Sequence, residues 1–177
     1  MESTLEQALA DEYRKHPRVL RRLALGEFIA RYPWQWFVTL TFTDDVHQER
    51  AFKLYRVWIS KLNKHLFGHR WHKREPFGVF WVVAYELTKG GRIHLHALLS
   101  GVAETRRLDW MDNWFGLDEI AGYSRIWPVA NPVAVSMYVT KYVTKGGEIE
   151  FSRNLRDVSR DLVALAGGSG NSPTPAR

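Results

Sequence analysis

His94 and His96 sit in the stretch GRIHLHALLSG with a single leucine between them. On a strand, successive side chains point to opposite faces. Both imidazoles therefore share one face, and Leu95 joins Ile93 on the other. Two adjacent imidazoles supply half of a metal site, and a carboxylate commonly completes such a set. Glu86 is the candidate, because it ends the apolar run FGVFWVVAYEL, where a carboxylate buried without a partner is costly. Its side depends on the turn at TKGGR. A two-residue Gly90–Gly91 turn pairs Lys89 with Arg92 and sets Glu86 opposite Leu95, on the wrong face. An odd loop centred on Gly90 sets Glu86 opposite His94, with Cβ atoms about 4.5–5.5 Å apart; a glycine in the left-handed region is a common way to close such a loop. The bland readings stand beside these: two histidines packed in a strand, and a surface glutamate at a strand end. His65, His69 and His72 form a rival cluster in a basic, exposed context.

A second constellation lies in MYVTKYVTKGG. At ~100° per residue, Tyr138, Lys141, Tyr142 and Lys145 fall within one arc of about 100° on a helix. Val135, Val139 and Val143 form the adjoining packing stripe. Two tyrosines one turn apart are ordinary core residues, but lysines between them are seldom fully buried. Two phenols with two ammonium groups suit a phosphate. A lysine neutralises a phosphoryl oxygen or lowers the cost of a phenolate, and an activated tyrosine hydroxyl is a competent covalent nucleophile.

Elements must position these groups. Residues 3–30 read as helical, interrupted near Pro17. Residues 34–43 alternate as a strand with Trp36, Val38, Leu40 and Phe42 on one face and a more polar opposite face. Asp44 or Asp45 can cap the next helix, which carries Phe52, Tyr55, Ile59 and Leu62 at helical spacing and stops at Gly68. Two strands follow, around TKGG. Next come a short helix over 104–115, a fourth strand over 121–129, and a helix begun by Pro132 and stopped by Gly146–Gly147. The order β-α-β-β-α-β plus one helix predicts an α+β, ferredoxin-like (split βαβ) antiparallel sheet, with helices on one face and the other free to carry a site. The expected organisation is an N-terminal helical extension over 1–33, one nuclease-sized domain over 34–150, and a C-terminal segment over 151–177 ending in a flexible tail.

The chain has 177 residues, no cysteine and a formal net charge of +6. Disulfide frameworks and thiolate metal sites are excluded, and a barrel-type hydrolase built on H-x-H needs ~200 or more residues. No apolar run approaches a membrane span and the start has no apolar signal core, which fits a cytoplasmic protein. The positive charge points to a polyanion. Arg18, Arg21 and Arg22 cluster early, and Lys61, Lys64, Arg70, Lys73 and Arg74 form a second group; both are candidate DNA contacts.

Three motifs in order carry a resemblance. FVTLTF over 37–42, HLH over 94–96 and YVTKYVTK over 138–145 resemble the strand-borne, histidine–hydrophobe–histidine and two-tyrosine motifs of the HUH endonuclease superfamily, in the form found in rolling-circle replication initiators of phages and plasmids. That resemblance implies Mg²⁺ or Mn²⁺ on His94, His96 and an acidic residue, best matched by Glu86. It implies nicking of single-stranded or cruciform origin DNA by Tyr138 or Tyr142, leaving a 5′-phosphotyrosine and a free 3′ hydroxyl. No G-x-x-x-x-G-K-[ST] loop occurs, so a separate helicase and polymerase are the expected partners. The rivals are a transposase or mobilisation relaxase of the same superfamily, and a non-catalytic ferredoxin-like nucleic-acid-binding module whose tyrosines stack on bases.

Overall fold

Five antiparallel strands in the order β4-β1-β3-β2-β5 form the centre of the protein in a computed structural model that describes residues 17–73, 78–143 and 148–155. The elements run α1 (Pro17–Ala30), β1 (Trp36–Phe42), α2 (Gln48–Phe67), a 3-10 turn (Trp71–Lys73), β2 (Phe80–Leu87), β3 (Ile93–Ser100), α3 (Arg107–Phe115), β4 (Ala121–Pro128), α4 (Pro132–Val143) and β5 (Ile149–Phe151). β1 to β4 with α2 and α3 make the split βαβ plan. This is an α+β, ferredoxin-like fold, extended by a strand on the β2 edge and by two further helices.

Period-two alternation sorts the strands into two cores. Trp36, Val38, Leu40 and Phe42 of β1 and Ile93, Leu95, Ala97 and Leu99 of β3 face α2 and α3, where Phe52, Tyr55, Trp58, Leu62, Trp110 and Trp114 complete the main core. Trp58 is fully buried and its indole N–H donates to the Trp110 carbonyl at 3.2 Å, so the ring's polar end is satisfied inside an apolar layer. Asn63 is also buried, and its Oδ1 accepts from the Val79 N–H at 2.7 Å, tying α2 to the chain entering β2.

The opposite face is not bare. α1 and α4 pack together and α4 packs on β2 and β3, building a second core from Ile29, Tyr32, Trp34, Val82, Ala84, Leu98, Val139 and Leu155. The expectation of helices on one face alone is therefore corrected. The reason lies in the strands: Val82, Ala84 and Leu98 make the second face apolar as well, and water cannot be left against them. Gly26 permits the close approach of α1 to α4, since a Cβ there would lie 2.6 Å from Met137 Sδ.

Boundaries differ in two instructive places. The second helix is capped by His47, whose Nδ1 accepts from the Glu49 N–H at 3.4 Å, and not by Asp44 or Asp45, which precede it by two residues or more. The third helix starts at Arg107 rather than near 104. The helix bearing Tyr138 begins at Pro132 as expected, with the Asn131 side chain accepting from the Ala134 N–H at 3.0 Å; its expected stop at Gly146–Gly147 lies outside the described residues, as does the helix expected over residues 3–16. α2 ends at Gly68, which takes φ +79°. Among the described residues no helix is long and apolar enough to cross a membrane.

Candidate metal centre

The hairpin between β2 and β3 adopts the odd loop. Thr88 and Arg92 close it through Thr88 N–H to Arg92 O at 2.9 Å and Gly91 N–H to Thr88 O at 3.0 Å. Gly91 sits at φ +82°, a conformation that costs other residues about 1–2 kcal/mol. In this register Leu87 pairs with Ile93, and Glu86 pairs with His94. Glu86 is thus on the face of the two histidines, not on that of Leu95.

Glu86, His94 and His96 each offer one ligand atom, and these atoms all lie within 4.8 Å of one another. Among the described residues this is the only such group; His65, His69 and His72 do not form one. His65 instead packs against Trp110 on the far side of the sheet. The donor set fits a divalent ion: two imidazoles and one carboxylate on one face, with sites left for other ligands. Nε2 of His96 and Oε2 of Glu86 are 3.1 Å apart. Burial dominates the imidazole and pushes its pKa below 6.5; the Glu86 contact pulls the other way, and His94 adds to the lowering. At neutral pH the ring is therefore neutral, and the Glu86 contact is a hydrogen bond from Nε2–H rather than an ion pair. A neutral imidazole is the form that ligates.

The other ring nitrogen is also held. Thr39 Oγ1 lies 3.2 Å from His96 Nδ1, across the β1–β3 pairing in which Thr39 faces His96. Phe37 stacks on the same ring with centroids 6.2 Å apart and planes at 13°. A histidine gripped at Nδ1, at Nε2 and on its face has one orientation left. Neither Thr39 nor Phe37 is among the site candidates that the sequence offers. The signal available is their place on the polar face of β1; what is missing is the knowledge that β3 is β1's neighbour.

Tyr138 reaches the cluster from α4. Its ring meets His96 edge-on at 5.7 Å and Phe37 at 5.5 Å, and it is 40% exposed. Lys141 Nζ lies 5.8 Å from the centre of that ring, one turn along the same helix. Tyr142 is on α4 four residues beyond Tyr138, but its side chain lies outside the described residues, as do Lys145 and Arg74 entirely.

The basic residues do not all converge here. Lys61 and Lys64 are exposed on α2, and Arg70 and Lys73 are exposed beyond it; α2 lies on the sheet face opposite the cluster. Arg22 donates to the Met137 carbonyl at 3.4 Å, linking α1 to the helix that carries Tyr138. Arg18 and Arg21 are on α1, their side chains outside the described residues.

A ferredoxin-like sheet with two imidazoles, a carboxylate and a helix-borne tyrosine on one face defines the class: an α+β protein with a candidate metal centre. Residues 35–147, more than half of the chain, match the family model of the replication-associated protein ORF2, and the chain belongs to that family. It is a replication-associated protein. No curated protein matches in sequence. In solved structures it resembles the hypothetical protein ORF119 from Sulfolobus islandicus rod-shaped virus 1, with 16% identity, a TM-score of 0.44, and 68% of this chain and 91% of that one covered.

Proposed function

We propose that the protein starts replication by nicking single-stranded origin DNA and rejoining it through a covalent tyrosine intermediate, as a two-tyrosine member of the HUH endonuclease superfamily. The observation that carries this reading is the closure of Glu86, His94 and His96 into one group with the Tyr138 ring 5.7 Å from His96. A replication-associated family and a formal charge of +6 support it.

A Mg²⁺ or Mn²⁺ ion held by Glu86, His94 and His96 supplies Lewis-acid polarisation of the scissile phosphate. The chain's own groups do the rest. Thr39 and Phe37 keep His96 oriented. The Tyr138 hydroxyl oxygen attacks phosphorus and forms the Tyr–O–P bond; the P–O3′ bond breaks in line. The phenol proton leaves to solvent and the departing 3′ oxygen takes one up, so the products are a 5′-phosphotyrosine and a 3′ hydroxyl. Lys141 stands beside the ring to offset negative charge gathering on phenol and phosphate. Rejoining reverses these steps, with a 3′ hydroxyl as attacker. Tyr142, the next tyrosine along the same helical face, is the second nucleophile, and Lys145 its companion. Unwinding and extension fall to a separate helicase and polymerase.

The test is covalent capture. Wild-type protein incubated with a pool of single-stranded oligonucleotides and Mn²⁺ should yield a denaturant-stable protein–DNA adduct. The Tyr138→Phe plus Tyr142→Phe double variant should yield none. A wild-type chain that never forms an adduct with single-stranded or cruciform DNA would overturn the reading.

A further inference from the structure

β4 is an edge strand, and one of its faces is aromatic, basic and open. Tyr123, Arg125 and Trp127 alternate onto the same side, all exposed, Tyr123 by 81% and Trp127 by 56%. Soluble chains seldom leave large rings this bare without a partner. The side is that of the metal cluster. Arg125 pairs with Thr39, and Thr39 pairs on its other flank with His96. Trp127 pairs with Phe37, the ring that touches both His96 and Tyr138. α4 packs on β2 and β3, which leaves β4 clear.

We infer that the Tyr123–Arg125–Trp127 face of β4 is a base-stacking track that leads single-stranded DNA across β1 to the metal cluster. The chemistry favours this occupant. Neither β1 nor β4 contains an acidic residue, and Arg125 gives the face a positive charge. Alternate residues on a strand are about 6.8 Å apart, comparable with the step between phosphates of an extended single strand. Ring–guanidinium–ring is a pattern on which bases stack and a phosphate is neutralised. Phe115, at the end of α3, lies against Tyr123 with centroids 6.3 Å apart and planes at 27°, so the outer ring is braced. Arg107 donates to the Ile126 carbonyl at 2.8 Å, occupying an acceptor that an added β-strand from another chain would use. With strands ~4.8 Å apart, Arg125 stands about 10 Å from His96 across the sheet, a reach of one or two nucleotides.

The inference rests on the single-strand nicking proposed above, and the experiment separates the two. Affinity for a short oligo-dT, followed by anisotropy in EDTA over a range of salt, reads the track without cleavage; adduct formation with Mn²⁺ reads the chemistry. Trp127→Ala and Tyr123→Ala should each weaken binding by about fivefold or more, by the same factor at every salt concentration. Trp127→Phe and Tyr123→Phe should restore most of it. Arg125→Ala should instead flatten the plot of log affinity against log salt by roughly 0.7. A duplex of the same length should be indifferent to the two aromatic substitutions. Affinity for oligo-dT within twofold of wild type in both alanine variants overturns the track while leaving nicking intact, and so does a wild-type chain with no measurable affinity for oligo-dT. A concentration-dependent dimer abolished by Trp127→Ala, with DNA binding unchanged, would assign the face to a second copy and overturn it too. Normal binding with no adduct in any substrate fails the nicking reading alone.

Discussion

Thr39 Oγ1 lies 3.2 Å from His96 Nδ1 across the β1–β3 ladder. A hydroxyl both donates and accepts. It can therefore donate to Nδ1 while Nε2 carries the proton toward Glu86, and accept from Nδ1–H once Nε2 ligates an ion. One threonine thus serves both tautomers, and no proton need leave the imidazole when the ion arrives. Thr39→Val keeps the shape and removes the hydroxyl. Metal affinity, measured by calorimetry with Mn²⁺, should fall about tenfold, with the secondary structure unchanged by circular dichroism. An unchanged affinity would mean that Phe37 and Glu86 alone orient the ring.

Removal of a ligand should be harsher than removal of its support. Glu86→Ala or His94→Ala should abolish saturable Mn²⁺ binding at millimolar ion. His94 is only half-buried, so its loss should leave the urea midpoint near that of wild type.

Acid should weaken both the site and the fold. Burial holds the folded pKa of His96 below 6.5, so the unfolded chain binds a proton that the folded chain resists. Stability from this group is complete above pH 6.5 and is lost as pH falls through the lower folded value. Urea denaturation of the ion-free protein from pH 7.5 to 5 should show the decline, and His96→Asn should show a smaller one. A wild-type chain that gains stability on acidification over this range would contradict a buried, neutral His96.

The loop that sets the register is sensitive to one backbone angle. Gly91 has φ +82°, and an added Cβ meets nothing within 4 Å. The cost of Gly91→Ala is therefore conformational, about 1–2 kcal/mol, and Gly91→Asn should cost less because asparagine visits the left-handed region more readily. Equal costs for Asn and Ala would point to a different loop in solution.

Two tyrosines used in turn make a specific demand on single variants. Residues four apart on a helix have Cβ atoms about 5–6 Å from each other, so a modest shift can present Tyr138 or Tyr142 to one phosphate. Tyr138→Phe and Tyr142→Phe should each still form the covalent adduct, while closure of a circle should fail in both. Complete loss of capture in one single variant that still binds DNA would leave one nucleophile.

Lys61 and Lys64 stand on the face opposite the cluster, so they can hold only DNA long enough to wrap the edge of the sheet. Their double alanine variant should bind a short oligonucleotide as wild type does. For a long single strand it should flatten the salt plot by about 1.4, two contacts at ~0.7 each. A flattened slope on the short strand would mean that the two lysines reach the site directly.

Much of the site is legible in the chain because strand periodicity is local. His94 and His96 share a face whatever surrounds them, and a glycine pair in TKGGR is chemistry enough for either an even or an odd loop. The loop itself is settled only in three dimensions, by Thr88 and Arg92 closing around Gly91; that choice puts Glu86 beside His94. The split βαβ order, the helix begun by Pro132 and the tyrosine–lysine face likewise follow from spacings of two to four residues. What lies beyond is long-range. Thr39 and His96 are 57 positions apart, and periodicity says which side chains share a face but not which strand lies alongside. The second core also needs the tertiary structure: Val82, Ala84 and Leu98 announce a buried surface, but only packing reveals that α1 and α4 cover it and stop short of β4. That boundary leaves Tyr123, Arg125 and Trp127 in solvent. Burial of those residues is a property of the neighbours they lack, and no local pattern in the chain encodes it.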